Sequence, residues 1–326
     1  MTSRRTFMAS TAAAAALGLA APRMAIASGR TPVVATFSIL ADMVNRIGGD
    51  HVAVTSLVGP NGDAHMLRPS PDDARAVNQA KLLVVNGLGF EGWLDRLVEA
   101  SDFKGAKITA TDEANLIAYE EDAHGDDDHA DKDEHGHDDH ADKGEHGHEH
   151  GAFDPHAWQS LGNGAVYAKN IAAALAQVAP ANADDFKANL AGYVAEIEAL
   201  DAEIREMVDA LPADRRTVVT SHDAFQYFGR DYGLTFLAPQ GLSTESEASA
   251  KEVAQLIWQI RAQKIKAVFV ENVADARLLE RIASETKAKI GGKLYPGALS
   301  ESDGPAPTYL AMMHHNARTL SQALSA

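Results

Sequence analysis

The 326-residue sequence contains no cysteine, and aromatic residues make up only 6% of it. The absence of cysteine excludes disulfides, thiolate metal sites and thiol catalysis. A transition-metal site in this chain must therefore be built from imidazole nitrogen and oxygen ligands. The sequence also lacks an apolar run of the ~18 residues that a membrane-spanning helix needs. Its hydrophobic content of 45% is typical of a soluble globular protein, and its length suits two domains.

Positive charge is scarce as well, because 29 basic residues face 46 acidic ones and the formal net charge is −17. The first 27 residues carry three arginines and no acidic residue, so their removal takes the net charge from −17 to −20. Such an acidic chain is a poor partner for nucleic acid or anionic lipid. Its charge favours cations as ligands.

The first 27 residues have the pattern of an export signal. The charged start from Ser3 to Phe7 resembles a twin-arginine signal, Ala9 to Ala21 forms a short apolar core, and Ala25 to Ala27 is an A-x-A cleavage site. This core is too short to anchor the chain in a bilayer. The alternative is an alanine-rich first helix of a cytosolic protein. The export route also stays open, because an arginine pair can precede an ordinary secretory core.

Strands and helices alternate through the rest of the chain. Pro32 to Phe37 has a strand pattern, Ser38 to Gly48 follows with helical spacing, and Arg216 to Thr286 repeats this alternation. The alternation predicts parallel sheets covered by helices on both faces. Apolar residues recur every three or four positions from Ala183 to Leu211 and predict a single helix of roughly 40 Å. The predicted fold is α/β, with two lobes, each a parallel sheet flanked by helices, bridged by one long rigid helix.

The signal pattern, the two series of alternating strands and helices, and the long helix between them divide the chain into four parts. The export signal at residues 1–27 is followed by an N-terminal α/β lobe at 28–180, a linking helix at 181–212 and a C-terminal α/β lobe at 213–326. Within the first lobe, residues 120–149 contain 14 acidic residues and two lysines. Apart from alanines this stretch has nothing to bury, so we predict a mobile, disordered surface loop at residues 120–150.

The loop contains eight histidines and an 11-residue repeat. The histidines are His124, His129, His135, His137, His140, His146, His148 and His150. A disordered segment must lose conformational freedom to wrap a metal ion, so we expect it to hold several ions weakly rather than one tightly. The loop would then gather metal near a tighter site. Buffering, sensing and a plain spacer without a metal role all stay open.

Three other histidines lie where a predicted strand or loop ends and a helix begins. His65 follows the turn-rich segment that starts at Gly59, His156 follows Asp154-Pro155, and His222 follows the strand Val218-Val219. In open α/β sheets this rim is where ligands bind. A single histidine at a strand end is more often a hydrogen-bonded turn residue. If the two lobes face each other, however, the three rings can converge in the cleft between them.

The motifs around these histidines resemble those of the metal-binding solute-binding proteins of ABC importers, the cluster A-I or ZnuA-like family. The resemblance covers nearly all the chain after the export signal, and the motifs run in the order that the family has. They are Gly62-Asp63-Ala64-His65 with Pro69-Ser70-Pro71, Asp154-Pro155-His156, the segment from Ser221 to Gly229, Gln240-Gly241-Leu242-Ser243-Thr244, and the segment from Tyr309 to Met313. The resemblance implies two lobes bridged by a rigid helix, one metal in the cleft, and delivery of that metal to a membrane ABC permease.

Carried over motif by motif, the resemblance makes His65, His156 and His222 the metal ligands. A glutamate at the third position goes with manganese in this family and a histidine with zinc, so His222 points to Zn²⁺. The preference of Mn²⁺ for carboxylate oxygen agrees with this assignment. Many members have an aspartate where this chain has Gly297, so the fourth ligand stays open. Glu271 is either that ligand or, in the interpretation we favour, the acceptor that orients an imidazole N–H.

The predicted function is capture and not catalysis: a monomeric periplasmic protein binds Zn²⁺ and delivers it to the permease. A periplasmic zinc chaperone is a further candidate partner, and a metallochaperone or adhesin on the same scaffold is the alternative function. An exported zinc hydrolase is a rival from another class, because three histidines and a water also form catalytic sites. Against it, the sequence has no HExxH motif, and Ser221 and His222 are neighbours on an extended segment, where adjacent side chains face apart.

Overall fold

The computed structural model describes residues 29–118 and 153–325 of the chain. The predicted export signal and the histidine-rich loop lie outside these residues. The first lobe consists of β1 (Thr31–Phe37), α1 (Ser38–Gly48), β2 (Val52–Val58), α2 (Pro71–Gln79), β3 (Leu82–Val85), α3 (Leu94–Ser101), β4 (Ala106–Thr109) and α4 (Leu161–Val178). Its strands are all parallel, in the order β2-β1-β3-β4.

The second lobe repeats this architecture. It consists of β5 (Thr217–Val219), α6 (Gln226–Tyr232), β6 (Thr235–Leu237), α7 (Ala250–Gln263), β7 (Ala267–Glu271), α8 (Arg277–Thr286), β8 (Lys289–Leu294) and α9 (Tyr309–Ser325). The strand order is β6-β5-β7-β8, again entirely parallel. Two parallel sheets flanked by helices confirm the predicted fold class. No helix among residues 29–118 and 153–325 has the length and apolarity that crossing a bilayer requires.

Burial explains why the central strands could be read from the sequence. Every residue of β3 is buried, as expected for a strand that is covered by helices on both faces. The outer strands β4 and β8 escaped prediction, because each is an edge strand with exposed positions and one or two lysines. Lysine on a sheet edge opposes edge-to-edge pairing with another chain and hides the apolar pattern.

One long helix, α5 (Ala183–Asp209), runs for 27 residues and contacts both lobes. It packs on α1 and α4 of the first lobe and on α6 and α9 of the second. The predicted helix extended to Leu211, two residues further. The helix ends earlier because Pro212 follows, and a residue that precedes proline is disfavoured in the α conformation. The domain boundaries drawn from the sequence remain a prediction.

Hydrogen bonds between the lobes fix their relative position. The backbone N–H of Leu299 donates to Ser38 Oγ at 3.0 Å, and its carbonyl accepts the N–H of Asn61 at 2.8 Å. The N–H of Tyr309, at the start of α9, donates to Asp42 Oδ2 at 2.8 Å. These buried or half-buried contacts join the start of α1 to the second lobe, so the facing strand ends of the two sheets are held together.

A close helix contact at Gly164 gives a stability prediction. A Cβ atom at Gly164 would collide with the hydroxyl of Tyr309 and lie 3.0 Å from its ring carbons. The hydroxyl is not free to move, because it donates to the carbonyl of Trp158 at 2.6 Å. We expect Gly164→Ala to lower the free energy of unfolding by about 1–3 kcal/mol, despite the higher helix propensity of alanine.

Gly192 on α5 is the matched control for that substitution, since a Cβ atom there would meet nothing within 4 Å. Gly192→Ala should raise the free energy of unfolding by roughly 0.5–1 kcal/mol. Urea denaturation followed by circular dichroism measures both changes. Equal stabilisation by the two alanines would contradict the proposed contact between α4 and Tyr309.

Candidate metal centre

The three predicted histidines occupy strand ends and turns of both lobes. His65 lies in the turn between β2 and α2, His156 directly precedes the 3-10 turn that leads into α4, and His222 follows β5. The exposed fractions of His65, His156 and His222 are 8%, 1% and 1%. The structure therefore brings two side chains of the first lobe and one of the second into the interior, where the carboxyl ends of both sheets meet.

The ring nitrogens of these histidines converge. One ligand nitrogen from each ring lies within 4.8 Å of the other two, and Nε2 of His65 lies 3.3 Å from Nε2 of His156. Nitrogen ligands around a tetrahedral Zn²⁺ are also roughly 3.3 Å apart, given Zn–N bonds of about 2.0–2.1 Å. Within residues 29–118 and 153–325, no other three histidine or acidic side chains come together in this way. The eight loop histidines lie outside the described residues.

Carboxylates hold two of the rings from behind. Nδ1 of His156 is 2.8 Å from Asp154 Oδ1, and Nδ1 of His222 is 2.6 Å from Glu271 Oε2. A carboxylate accepts, so each Nδ1 carries the proton and each Nε2 keeps its lone pair free for a cation. The carboxylates thus set both the tautomer and the direction of the rings.

Both oxygens of Glu271 are engaged in this arrangement. Oε1 accepts the backbone N–H groups of Ser221 at 2.8 Å and His222 at 3.2 Å, while Oε2 faces the His222 ring. Glu271 is 3% exposed and does not join the group of converging nitrogens. The carboxylate therefore lies on the Nδ1 side of His222, away from the point at which the three rings meet.

Asp154 was not among the residues that we predicted from the sequence, although a signal for it exists. Its Oδ1 accepts the backbone N–H of His156 at 2.9 Å, and Asp63 Oδ1 accepts that of His65 at 3.0 Å. Both are local turns in which an aspartate binds the N–H two residues ahead. The D-x-H spacing, which occurs twice among the described residues, is the pattern of this turn, and at both places it anchors the backbone beside the ring.

A second buried network supports the His156 turn. Asn86, at the end of β3, donates from Nδ2 to the carbonyl of Pro155 at 2.9 Å, and Tyr167 donates to Asn86 Oδ1 at 2.6 Å. Glu91 accepts the N–H of Asn86 at 2.7 Å. Nothing in the sequence pointed to these residues, because their contacts join positions that are 69 and 81 residues apart.

Aromatic rings close the other side of the centre. The ring centroid of Phe90 lies 4.6 Å from that of His65, and the ring of Trp158 lies 5.3 Å from that of His156. The indole N–H of Trp158 donates to the carbonyl of Pro296 at 2.8 Å. This contact brings the adjacent Gly297 beside the rings, where an added Cβ would lie 3.7 Å from Trp158. The low-polarity wall strengthens electrostatic interactions inside the centre.

Burial controls the protonation of the rings. It lowers the pKa of His65 and the pKa of His156 well below the usual 6.5, and the neighbouring histidines lower both further. Burial also acts to lower the pKa of His222, but the charge and the hydrogen bond of Glu271 outweigh it, so the pKa of His222 is raised. Burial raises the pKa of Asp154 to about 7. The centre thus favours two neutral imidazoles and concentrates its proton affinity on His222.

The chain matches one family model over residues 33–323, that of ZnuA, the periplasmic component A of a zinc-uptake complex. It is 31% identical over 303 residues to the metal ABC transporter substrate-binding lipoprotein ScbA of Streptococcus cristatus, which covers 91% of this chain and 90% of that protein. It is 31% identical over 291 residues to the iron-binding protein YfeA of Yersinia pestis, which covers 89% and 85%. It is 30% identical over 298 residues to the manganese ABC transporter substrate-binding lipoprotein PsaA of Streptococcus anginosus, which covers 90% and 89%.

Solved structures agree with these relatives. The periplasmic zinc-binding protein TroA of Treponema pallidum superimposes with a TM-score of 0.80 at 27% identity, over 91% of this chain and 100% of that one. A manganese-bound periplasmic metal-binding protein of Candidatus Liberibacter asiaticus superimposes with a TM-score of 0.74 at 30% identity, over 90% and 98%. The names of the relatives include manganese, iron and zinc, so similarity alone does not select the metal.

The contact between Glu271 and His222 can be tested without metal. In Glu271→Gln the largest charge that opposes the effect of burial is gone and only the smaller effects of Asp63 and Asp223 remain, so the pKa of His222 should fall. An NMR titration of the His222 ring protons in metal-free protein measures the change. The exposed Glu206→Gln on α5 is the control and should leave the titration as in the wild type. A His222 pKa that is equal in the wild type and Glu271→Gln would contradict the electrostatic role of Glu271.

Proposed function

Since the chain belongs to the ZnuA family of periplasmic metal-binding components of ABC transporters, we propose that it captures Zn²⁺ between His65, His156 and His222. ScbA and PsaA are named as substrate-binding lipoproteins of metal ABC transporters, and each match covers about nine tenths of both chains. The chain is likewise a substrate-binding protein and not an enzyme. Its partner is a membrane ABC permease. Because the family consists of substrate-binding proteins, the rival prediction of an exported zinc hydrolase is wrong.

The convergence of three ring nitrogens is the observation that carries the proposal. Imidazole nitrogens are ligands that suit Zn²⁺. Burial lowers the pKa of His65 and the pKa of His156, which keeps these two rings neutral, and zinc replaces the proton that His222 holds. Mn²⁺ and Mg²⁺ prefer oxygen ligands, and no carboxylate joins the converging nitrogens within the described residues. The donor set therefore supports zinc over the manganese and iron for which other relatives are named.

We assign Glu271 to the orientation of His222 and leave the fourth coordination position to water. Both Glu271 oxygens already accept hydrogen bonds on the Nδ1 side of the ring, which supports this role over that of a ligand. Gly297 has no side chain to contribute. A zinc ion with three protein ligands and one exchangeable position suits a carrier that must later release its cargo.

Rigid support favours tight binding. Each histidine is anchored by a turn aspartate or a carboxylate on a strand end, so little conformational entropy is lost when the ion binds. Binding also requires His222 to be unprotonated, so zinc displaces a proton that Glu271 helps to hold there. Acidification should consequently weaken capture.

Other parts of the proposal come from the residues outside the described structure. The signal at residues 1–27 supports export to the periplasm, and the loop at residues 120–150 supports gathering of metal at lower affinity through its eight histidines. We propose a monomer that works alone or receives zinc from a periplasmic chaperone. A metallochaperone on the same scaffold would share the metal centre and differ only in its partner.

Zinc titration separates the centre from the loop. We expect deletion of residues 120–149 to remove weak, multiple binding events and to keep the tightest one unchanged. His156→Ala should instead weaken the zinc affinity of the tightest binding event by at least about 100-fold. One of the three nitrogen ligands is then missing, and the ordered turn of His156 no longer contributes a ligand. Isothermal titration calorimetry at pH 7.5 with a competing chelator measures both variants.

Circular dichroism shows whether each variant remains folded, and His314→Ala on α9 serves as the matched histidine control. This control should bind zinc as the wild type does. Loss of the tightest event on deletion of the loop, with His156→Ala unaffected, would assign high-affinity capture to the loop and overturn the proposal.

A further inference from the structure

A basic cleft lies at the end of the second sheet that faces away from the metal centre. It is a cavity of about 720 Å³ between the end of α7, the starts of β7 and β8, and α9. Five exposed basic side chains line it and no acidic residue does: Arg261, Lys264, Lys266, Lys287 and Lys289. In a chain with 46 acidic and 29 basic residues, such a cluster of one sign runs against the composition.

The positive charge of the cleft is not neutralised within the described residues. None of its five basic residues forms an ion pair there. Glu285 is paired with Arg281 at 3.0 Å, and Arg261 donates only to the backbone carbonyl of Glu285. Asp214 lines a smaller adjoining cavity together with Lys264 and Lys266, but it forms no ion pair with either lysine within the described residues. An anion that enters the cleft would therefore meet unpaired cations.

Local structure accounts for two of the lysines and leaves two unexplained. Lys264 and Lys287 are the left-handed C-terminal caps of α7 and α8, where a positive charge complements the helix dipole. Lys266 and Lys289 instead lie at the starts of β7 and β8, where their backbones are joined by a 2.8 Å hydrogen bond. Lys289 pairs with Ala267 in the strand register, so the two lysine side chains leave opposite faces at this end of the sheet. Neither side chain forms an ion pair within the described residues.

We propose that this cleft docks the acidic segment at residues 120–149 of the same chain. That segment holds 14 acidic residues and two lysines, a net charge of −12. It complements the cleft in sign and exceeds it in number of charges. Because the segment is part of the same chain, docking proceeds at a high effective concentration and needs little intrinsic affinity.

The segment leaves the fold where the first lobe meets the lobe that carries the cleft. Its flanks pair at Ala118 and Phe153, and Tyr227 on α6 of the second lobe holds both sides of this base. The Tyr227 hydroxyl accepts the N–H of Ile117 at 3.1 Å and donates to the carbonyl of Asp154 at 2.7 Å. The base of the segment therefore contacts the lobe that carries the cleft, and a path from the base to the cleft can run along that lobe.

Chain length permits this path. Residues 119–152 are 34 residues, so the tip of the segment can lie about 55 Å from its base when extended. A lobe of this size is roughly 35 Å across. Docking would keep the histidine-rich segment on the second lobe, away from the strand ends that carry the metal centre. This inference goes beyond metal capture and does not depend on which ion the three histidines bind.

Zero-length carbodiimide cross-linking of the full, metal-free chain tests the docking. Mass spectrometry should find residues 120–149 joined to the four lysines of the cleft in preference to exposed lysines elsewhere, such as Lys169 and Lys187. In Lys266→Gln/Lys289→Gln, cross-links to the remaining Lys264 and Lys287 should fall about tenfold, because half of the unpaired lysine charge is gone. Lys169→Gln/Lys187→Gln, on α4 and α5, is the matched control and should leave them unchanged.

Mixing ¹⁴N- and ¹⁵N-labelled protein identifies which chain supplies the carboxylates. Cross-links within one chain support the proposal. Cross-links between two copies, an even spread over all exposed lysines, or equal yields in the two double variants would each overturn it. Thermal unfolding of both variants confirms that the lobe is intact, so that a lower yield reports docking and not a loss of fold.

Discussion

The hydrogen bonds between buried carboxylates and imidazoles are the contacts on which the metal centre depends. An imidazole can face a cation with either ring nitrogen, and only a fixed acceptor on one side decides which. Glu271 and Asp154 provide that acceptor for His222 and His156. Removing the carboxylate from such a contact leaves a buried imidazole N–H without an acceptor, which costs about 1–3 kcal/mol. The chain retains these buried groups because they aim two nitrogens at one point.

The rest of the fold serves to bring the third nitrogen to that point. His65 and His156 belong to one sheet and His222 to the other, so the centre exists only while the two lobes keep their positions. The helix α5 contacts both lobes, and α9 returns from the second lobe to pack on α1 of the first. Thr244 of the second lobe also donates to Asp63 at 2.6 Å, and Asp63 holds the turn of His65. An ion bound by histidines of both lobes would add a further connection between the lobes, made of coordination bonds instead of hydrogen bonds.

A feature of this structure can be predicted from the sequence when the residues that produce it are close together along the chain. Alternation of apolar runs and helical spacing is local, so both parallel sheets, the long helix and the strand-end positions of the three histidines could be predicted. The edge strand β8 could not, because Gly291, Gly292 and its lysines mask the strand pattern. The hydrogen bond from Asn86 to the His156 turn and the proximity of Lys266 to Lys289 could not be predicted either, since both arise when distant segments of the chain meet. Asp154 lies between these cases: its D-x-H turn is local, but only the structure shows that it also holds the ring.

Anomalous diffraction tests the central claim most directly. Crystals of the protein grown with equal concentrations of Zn²⁺ and Mn²⁺ would be measured at the absorption edge of each metal. The account predicts one strong zinc peak between the lobes, with the Nε2 atoms of His65, His156 and His222 at about 2.0–2.1 Å. A manganese peak at that position, or a zinc peak that lacks any one of these three nitrogens, would contradict it.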